Sequence, residues 1–121
     1  MSKKLVYICS PLRGDYEKNM ENARTYCRVA MKYLPDVVPL APHVYFPQFM
    51  DDTNEEERER GMAAGIALLD KCDELWAFGL ENPSEGMKRE IEHARARGIP
   101  VFNGVHQLQL SIWKEKNGVK P

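Results

Sequence analysis

Apolar and polar residues fall into blocks along this chain, and the blocks resolve into strands and helices taken in turn. Residues 5–9 (LVYIC) are an unbroken apolar run, short enough for a strand buried on both faces. From position 16 to 34 the apolar residues Tyr16, Met20, Ala23, Cys27, Ala30, Met31 and Leu34 return at steps of three and four, the rhythm of a helix with one buried stripe, and Pro35 ends it. Val37–Leu40 reads as a second strand. Residues 41–52 (APHVYFPQFMDD) mix prolines and aromatics without a clean period and read as a long loop that contributes to a site. Thr53 and Glu56 have capping-box spacing, and Glu55, Glu56 and Glu57 suit the positive end of a helix running to about residue 71; these acids read as a solvated helix start. Residues 74–78 (ELWAF) form a third strand, 84–97 a helix stopped by Gly98, 99–102 a fourth strand, and 106–116 a last short helix carrying Trp113.

Strands alternating with helices imply a parallel sheet with right-handed crossovers. The expected architecture is a three-layer α/β sandwich, flavodoxin- or Rossmann-like, with sheet order 2-1-3-4 and an additional C-terminal element. At 121 residues, 43% hydrophobic and 29% charged, the chain suits a single domain over residues 1–121. A net charge of -1 and a pI near 6.3 argue against a nucleic-acid partner, which would ask for a broad basic face. Any anion site must be local. Cys9, Cys27 and Cys72 have no CxxC spacing and lie in apolar patterns, as reduced core thiols of a cytoplasmic protein do. His43, His93 and His106 lack the HxxxH or HxxH spacing of a metal site, so neither metal nor cofactor is expected. Lys3 and Lys4 precede too few apolar residues for a signal-peptide core or a membrane span.

Two segments carry candidate chemistry. In VYICSPLRGD (residues 6–15) a buried strand breaks into a loop holding Ser10, Arg13 and Gly14 just before a helix, at the sheet edge where open α/β folds bind ligands. Arg13 would offer an anion a two-pronged guanidinium. The same residues also suit an ordinary turn with a solvated arginine. In the helix opened by Ser84, the residues Met87, Ile91 and Ala94 define the buried stripe, and Glu90 lies only about 60° from Met87. Glu85, Lys88, Arg89 and Glu92 point elsewhere. A carboxylate bordering the core costs energy unless paired or used, which makes Glu90 a functional candidate. Ser84 is explained as an N-cap, yet a hydroxyl beside free helix-start amides is also a phosphate cradle.

Taken in order, VYICSPLRGD at the first strand, His43 after the second, CDELW at the third, and Ser84, Gly86 and Glu90 spaced as S-x-G-x-x-x-E resemble the nucleoside 2-deoxyribosyltransferase superfamily. The nearest branch by these motifs is similar to the 2'-deoxynucleoside 5'-monophosphate N-glycosidases and their small bacterial and phage relatives. The resemblance implies Glu90 as a nucleophile that attacks the anomeric carbon of a nucleotide, and Tyr7 as the group that positions and tunes it. It implies further that Ser10, Arg13 and Gly14, with Ser84 and Gly86, hold a 5'-phosphate and that His43 adds to the substrate site. Transferases acting on free nucleosides carry an acid at the place of Ser84, so serine there favours a phosphorylated ligand.

One position departs from the pattern. Gly65 stands where the superfamily has an aspartate that handles the base or its proton, leaving Asp70, Asp51, Asp52 or His43 as replacements. The expected activity is cleavage or transfer of the N-glycosidic bond of a nucleoside 5'-monophosphate. The alternative, supported by Gly65, is a non-catalytic protein that senses or sequesters a nucleotide-derived small molecule. The resemblance also implies a homodimer or larger assembly, with residues 43–49 and the helix after Gly61 as contributors to a shared site.

Overall fold

In the computed structural model, which describes residues 3–118, the first apolar run is strand β1 (Lys4–Cys9), and Val6, Tyr7, Ile8 and Cys9 are all buried. It is followed by α1 (Tyr16–Tyr33), β2 (Val37–Leu40), α2 (Pro42–Tyr45), a 3-10 turn at Phe46–Gln48, α3 (Glu55–Leu69), β3 (Glu74–Ala77), α4 (Glu85–Ala96), β4 (Val101–Asn103) and α5 (Gly104–Lys116). The four strands pair in parallel in the order β2-β1-β3-β4. This is the expected α/β sandwich, with α5 as the additional C-terminal element.

The two-residue period of β1 divides the core between the two faces. Val6 and Ile8 pack with Trp76, Phe78, Ala30, Leu34 and Leu108, the layer of α1 and α5. Tyr7 and Cys9 pack with Leu69, Leu75, Met87, Ile91 and Ala94, the layer of α3 and α4. Each large apolar side chain buried this way contributes roughly 1.5–3 kcal/mol relative to leaving it in water. Gly104 is held by contact, because a Cβ there would lie 2.5 Å from the Phe78 ring. Gly98 ends α4 at a φ of 74°, which favours glycine over any residue with a Cβ. Pro39 lies in β2, an edge strand, where a missing N–H is tolerated. No helix among the described residues is long and apolar enough to cross a membrane.

Several expectations need correction. The cap of α3 is Asn54, whose side chain accepts from the Glu57 amide, while Thr53 bonds the Asp51 carboxylate instead, so Thr53 and Glu56 make no capping box. Residues 41–52 are no mere loop: Pro42 starts one helical turn and Pro47 lies in the 3-10 turn, both too short to show a period. Met31 and Tyr16 are exposed although both fit the α1 stripe. Met31 lies one step, about 100°, round from buried Ala30, and Tyr16 opens the helix at its solvated end. Cys9 and Cys72 are buried thiols, whereas Cys27 is half-buried at the side of its cluster.

Candidate functional site

Tyr7 sits on the α3/α4 face of β1, and this places its hydroxyl under α4 at the floor of a cleft of about 500 Å³. There the Tyr7 hydroxyl donates to Oε2 of Glu90. The Cys9 thiol, two residues along the same face, donates to Oε1 of Glu90 over 3.4 Å. Glu90 is thus brought to the cleft by its helical phase beside Met87 and Ile91, as the period predicts. Burial pushes its carboxyl above the usual glutamate range, and the bonds from Tyr7 and Cys9 partly offset that. Burial, and then the Glu90 charge, push the Tyr7 phenol and the Cys9 thiol well above their ordinary values, so both remain donors.

The rim is built at the carboxyl ends of the strands. Ser10 leaves β1 buried, and its Oγ lies 2.8 Å from Nε2 of His43 on α2. Burial lowers the His43 pKa to about 4, so the imidazole is neutral at pH 7, with one ring nitrogen a donor and the other an acceptor, and the Ser10 hydroxyl can pair with Nε2 in either role. The loop after Ser10 is pinned from α1, where Asn19 Nδ2 donates to the Leu12 and Arg13 carbonyls at 3.3 and 2.9 Å. Arg13 lines the cleft from that loop. Across the opening, Ser84 caps α4, its Oγ accepting from the Met87 amide at 3.3 Å, and the Glu85 and Gly86 amides at that helix start are left for a ligand. Gly86 lines the cleft too, and a Cβ there would meet open space.

Seven of the expected site residues therefore surround one cleft: Tyr7, Ser10, Arg13, His43, Ser84, Gly86 and Glu90. Gly14 is not among its walls; with φ at 95° it turns the chain into α1. Gly65 does line the cleft. A Cβ on Gly65 would stand 3.3 Å from the Tyr7 hydroxyl and 3.8 Å from the Pro42 side chain, so the glycine is there for close packing. Of the replacements considered for the missing aspartate, Asp70 is excluded. It bonds His93 at 2.6 Å and Arg97 at 3.3 Å and does not face the cleft. Asp51 is exposed and bonded to Thr53, which lowers its pKa. Asp52 and His43 line the cleft.

Glu57, Glu85 and Arg89 also border the cleft; Glu85 and Arg89 are exposed there, as their helical phase predicts, while Glu57 is half-buried. Arg89 on α4 approaches α3, with Nη1 3.8 Å from Sδ of Met62. Arg58 on α3 and Asp52 ahead of it join them. The signal for the α3 wall was the spacing of Arg58, Gly61, Met62 and Gly65, one helical face marked by two glycines four residues apart. The cleft thus combines a held carboxylate, a cradle of hydroxyl, amide and guanidinium donors, and apolar walls from Leu12, Phe46, Met50 and Ile66. Among the described residues no group of His, Cys, Asp and Glu is placed to hold a metal ion.

No curated protein matches the chain. Residues 4–103, from the first residue of β1 to the last of β4, match the family described as a domain of unknown function (DUF7768), and the chain belongs to that family.

Proposed function

We propose that the protein cleaves or transfers the N-glycosidic bond of a nucleoside 5'-monophosphate, with Glu90 as nucleophile. The observation that carries the reading is the Glu90 carboxylate, bonded through both oxygens at the floor of a cleft whose rim bears Arg13, Ser10 and the capped start of α4. An orienting bond on each oxygen fixes the plane of the carboxylate before substrate arrives. In the reaction a Glu90 oxygen bonds to the anomeric carbon as the C–N bond breaks. The bonding pair leaves with the base, which takes a proton from solvent water, and the hydroxide so formed is neutralised by the proton that the attacking nucleophile gives up in the next step. Water, or a second base, then attacks the glycosyl-enzyme and restores the carboxylate. Arg13, Ser84 and the Glu85 and Gly86 amides hold the 5'-phosphate, and Ser10 with neutral His43 binds beside the sugar.

A non-catalytic nucleotide-binding protein is the second reading, and Gly65 favours it. The Tyr7 hydroxyl closes off the position from which an aspartate would serve the leaving base, and general acid help of that kind is worth about a hundredfold or more. The proposal extends to a cytoplasmic location, supported by three free cysteines, and to a homodimer, supported by exposed aromatics beside the cleft.

Incubation with a panel of nucleoside monophosphates, with chromatography of the products, tests the chemistry. Free base is expected from the wild type, and none above background from Glu90→Gln, which keeps the shape and loses the nucleophile. Both proteins are expected to show the same thermal shift with nucleotide, and Glu85→Gln to behave as wild type. A thermal shift without base release in the wild type would establish the binding protein instead.

A further inference from the structure

We infer that Cys9 is a positioning residue for Glu90, its thiol holding Oε1 while Tyr7 holds Oε2. The inference rests on Glu90 being the working carboxylate of the cleft, but its test needs no turnover. Cys9 has the pattern of a core thiol: it is fully buried and packs with Leu75, Ala77 and Met87. Alanine or valine would fill such a place in the core. Only a residue with a donor, however, can meet Oε1, and the Cys9 thiol lies 3.4 Å from that oxygen, within reach for sulfur.

The backbone makes the arrangement rigid. Tyr7 and Cys9 are two residues apart on one face of β1; Tyr7 is paired with Leu40 of β2 on one side and Leu75 of β3 on the other, and Cys9 is paired with β3. Cys9 lies opposite Ala77, and its carbonyl accepts from the Phe78 amide at 2.8 Å. Two donors fixed to a central strand therefore grip one carboxylate carried by a helix, which leaves Glu90 little freedom to rotate about its last bond. A thiol donates more weakly than the phenol, so the two oxygens are held with unequal strength and Oε1 keeps more of its charge.

The other ionisable groups facing the cleft are known by element. Arg13 comes from the β1–α1 loop and His43 from α2; Asp52, Glu57 and Arg58 come from α3 and the loop before it, and Glu85 and Arg89 from α4. Among the described residues none of these bonds or pairs with Glu90, so the thiol and the phenol are its direct partners.

The test is a side-chain 13C NMR titration of Glu90 in the full chain as wild type, Cys9→Ala and Cys9→Ser. Loss of the donor in Cys9→Ala is expected to raise the Glu90 midpoint by roughly half a pH unit or more. Cys9→Ser, which keeps a donor, is expected to titrate at or below the wild-type midpoint. A residue that merely fills space would lower stability in both variants and leave the midpoint where it was; equal midpoints in wild type and Cys9→Ala overturn the inference, as does a rise in Cys9→Ser matching that in Cys9→Ala. If the Cys9 variants do not fold, the infrared S–H band of Cys9 decides. It is expected to move to higher frequency in Glu90→Ala, and an unmoved band overturns the inference. A wild type that releases no base while the midpoints shift as expected would remove the proposed chemistry and leave the Cys9 contact standing.

Discussion

His43 is a single side chain whose surroundings set how the protein responds to acid. Burial lowers its pKa from 6.5 to about 4, while in the unfolded chain it titrates near its ordinary value. Between those two values the unfolded state binds a proton that the folded state refuses, so stability falls as pH drops through that window. From neutral pH to about 4.5 the loss from this one residue is on the order of 2 kcal/mol. Urea unfolding of wild type and His43→Gln at both pH values measures it. The wild type is expected to lose about that much more than the variant, and equal losses would mean that His43 is protonated in the fold. Residues differ in how openly the sequence states such roles. Glu90 was legible, because its angle from Met87 follows from helix period alone. The neutrality of His43 and the donor role of Cys9 were not. Both depend on what the fold brings around the side chain: the burial that keeps His43 neutral, and Glu90 from α4 against the Cys9 thiol.

In helix α3, too, the role of a residue is set by what faces it. Its glycines at 61 and 65 share a face of the helix, yet they differ in what faces them: open space at Gly61, the Tyr7 hydroxyl at 3.3 Å at Gly65. Alanine in place of a mid-helix glycine ordinarily gains about 1 kcal/mol. Gly61→Ala is expected to show most of that gain in urea unfolding. Gly65→Ala is expected to show less, because Tyr7 and Pro42 must yield, and to slow base release by displacing the Tyr7 hydroxyl from Glu90. An equal gain at both positions with unchanged release would show that Tyr7 has room to spare. The strands and the long helices were readable because their periods are intrinsic to the chain, and Val37–Leu40 agrees to the residue. The charged part of the α3 wall was not readable, although Gly61 and Gly65 mark its face. Glu57 and Arg58 look like part of a solvated helix start until the packing of α3 against α4 turns them toward the cleft. The turns of helix at 42–48 were hidden because four residues are fewer than the pattern needs to repeat.

Across the whole molecule the apolar surface is unevenly spread. Tyr45 and Phe49 are each 58% exposed, and with Phe46 they form an edge-packed trio beside the cleft, ring centroids 5.1–5.9 Å apart. Exposed aromatics that already pack on one another form a surface a second copy can cover without rearranging them. Sedimentation at micromolar concentration is expected to give a dimer, and Tyr45→Glu with Phe49→Glu a monomer. A monomeric wild type that still binds nucleotide would refute both the dimer and a site shared between copies. The margins of the sheet bear on how copies meet. β2 carries Pro39 and β4 is only three residues long, so neither margin offers a run of donors and acceptors that a foreign strand could extend. Growth of the sheet from chain to chain is thereby disfavoured at both ends, and crowding such molecules together leaves side-chain surfaces as the means by which they recognise one another.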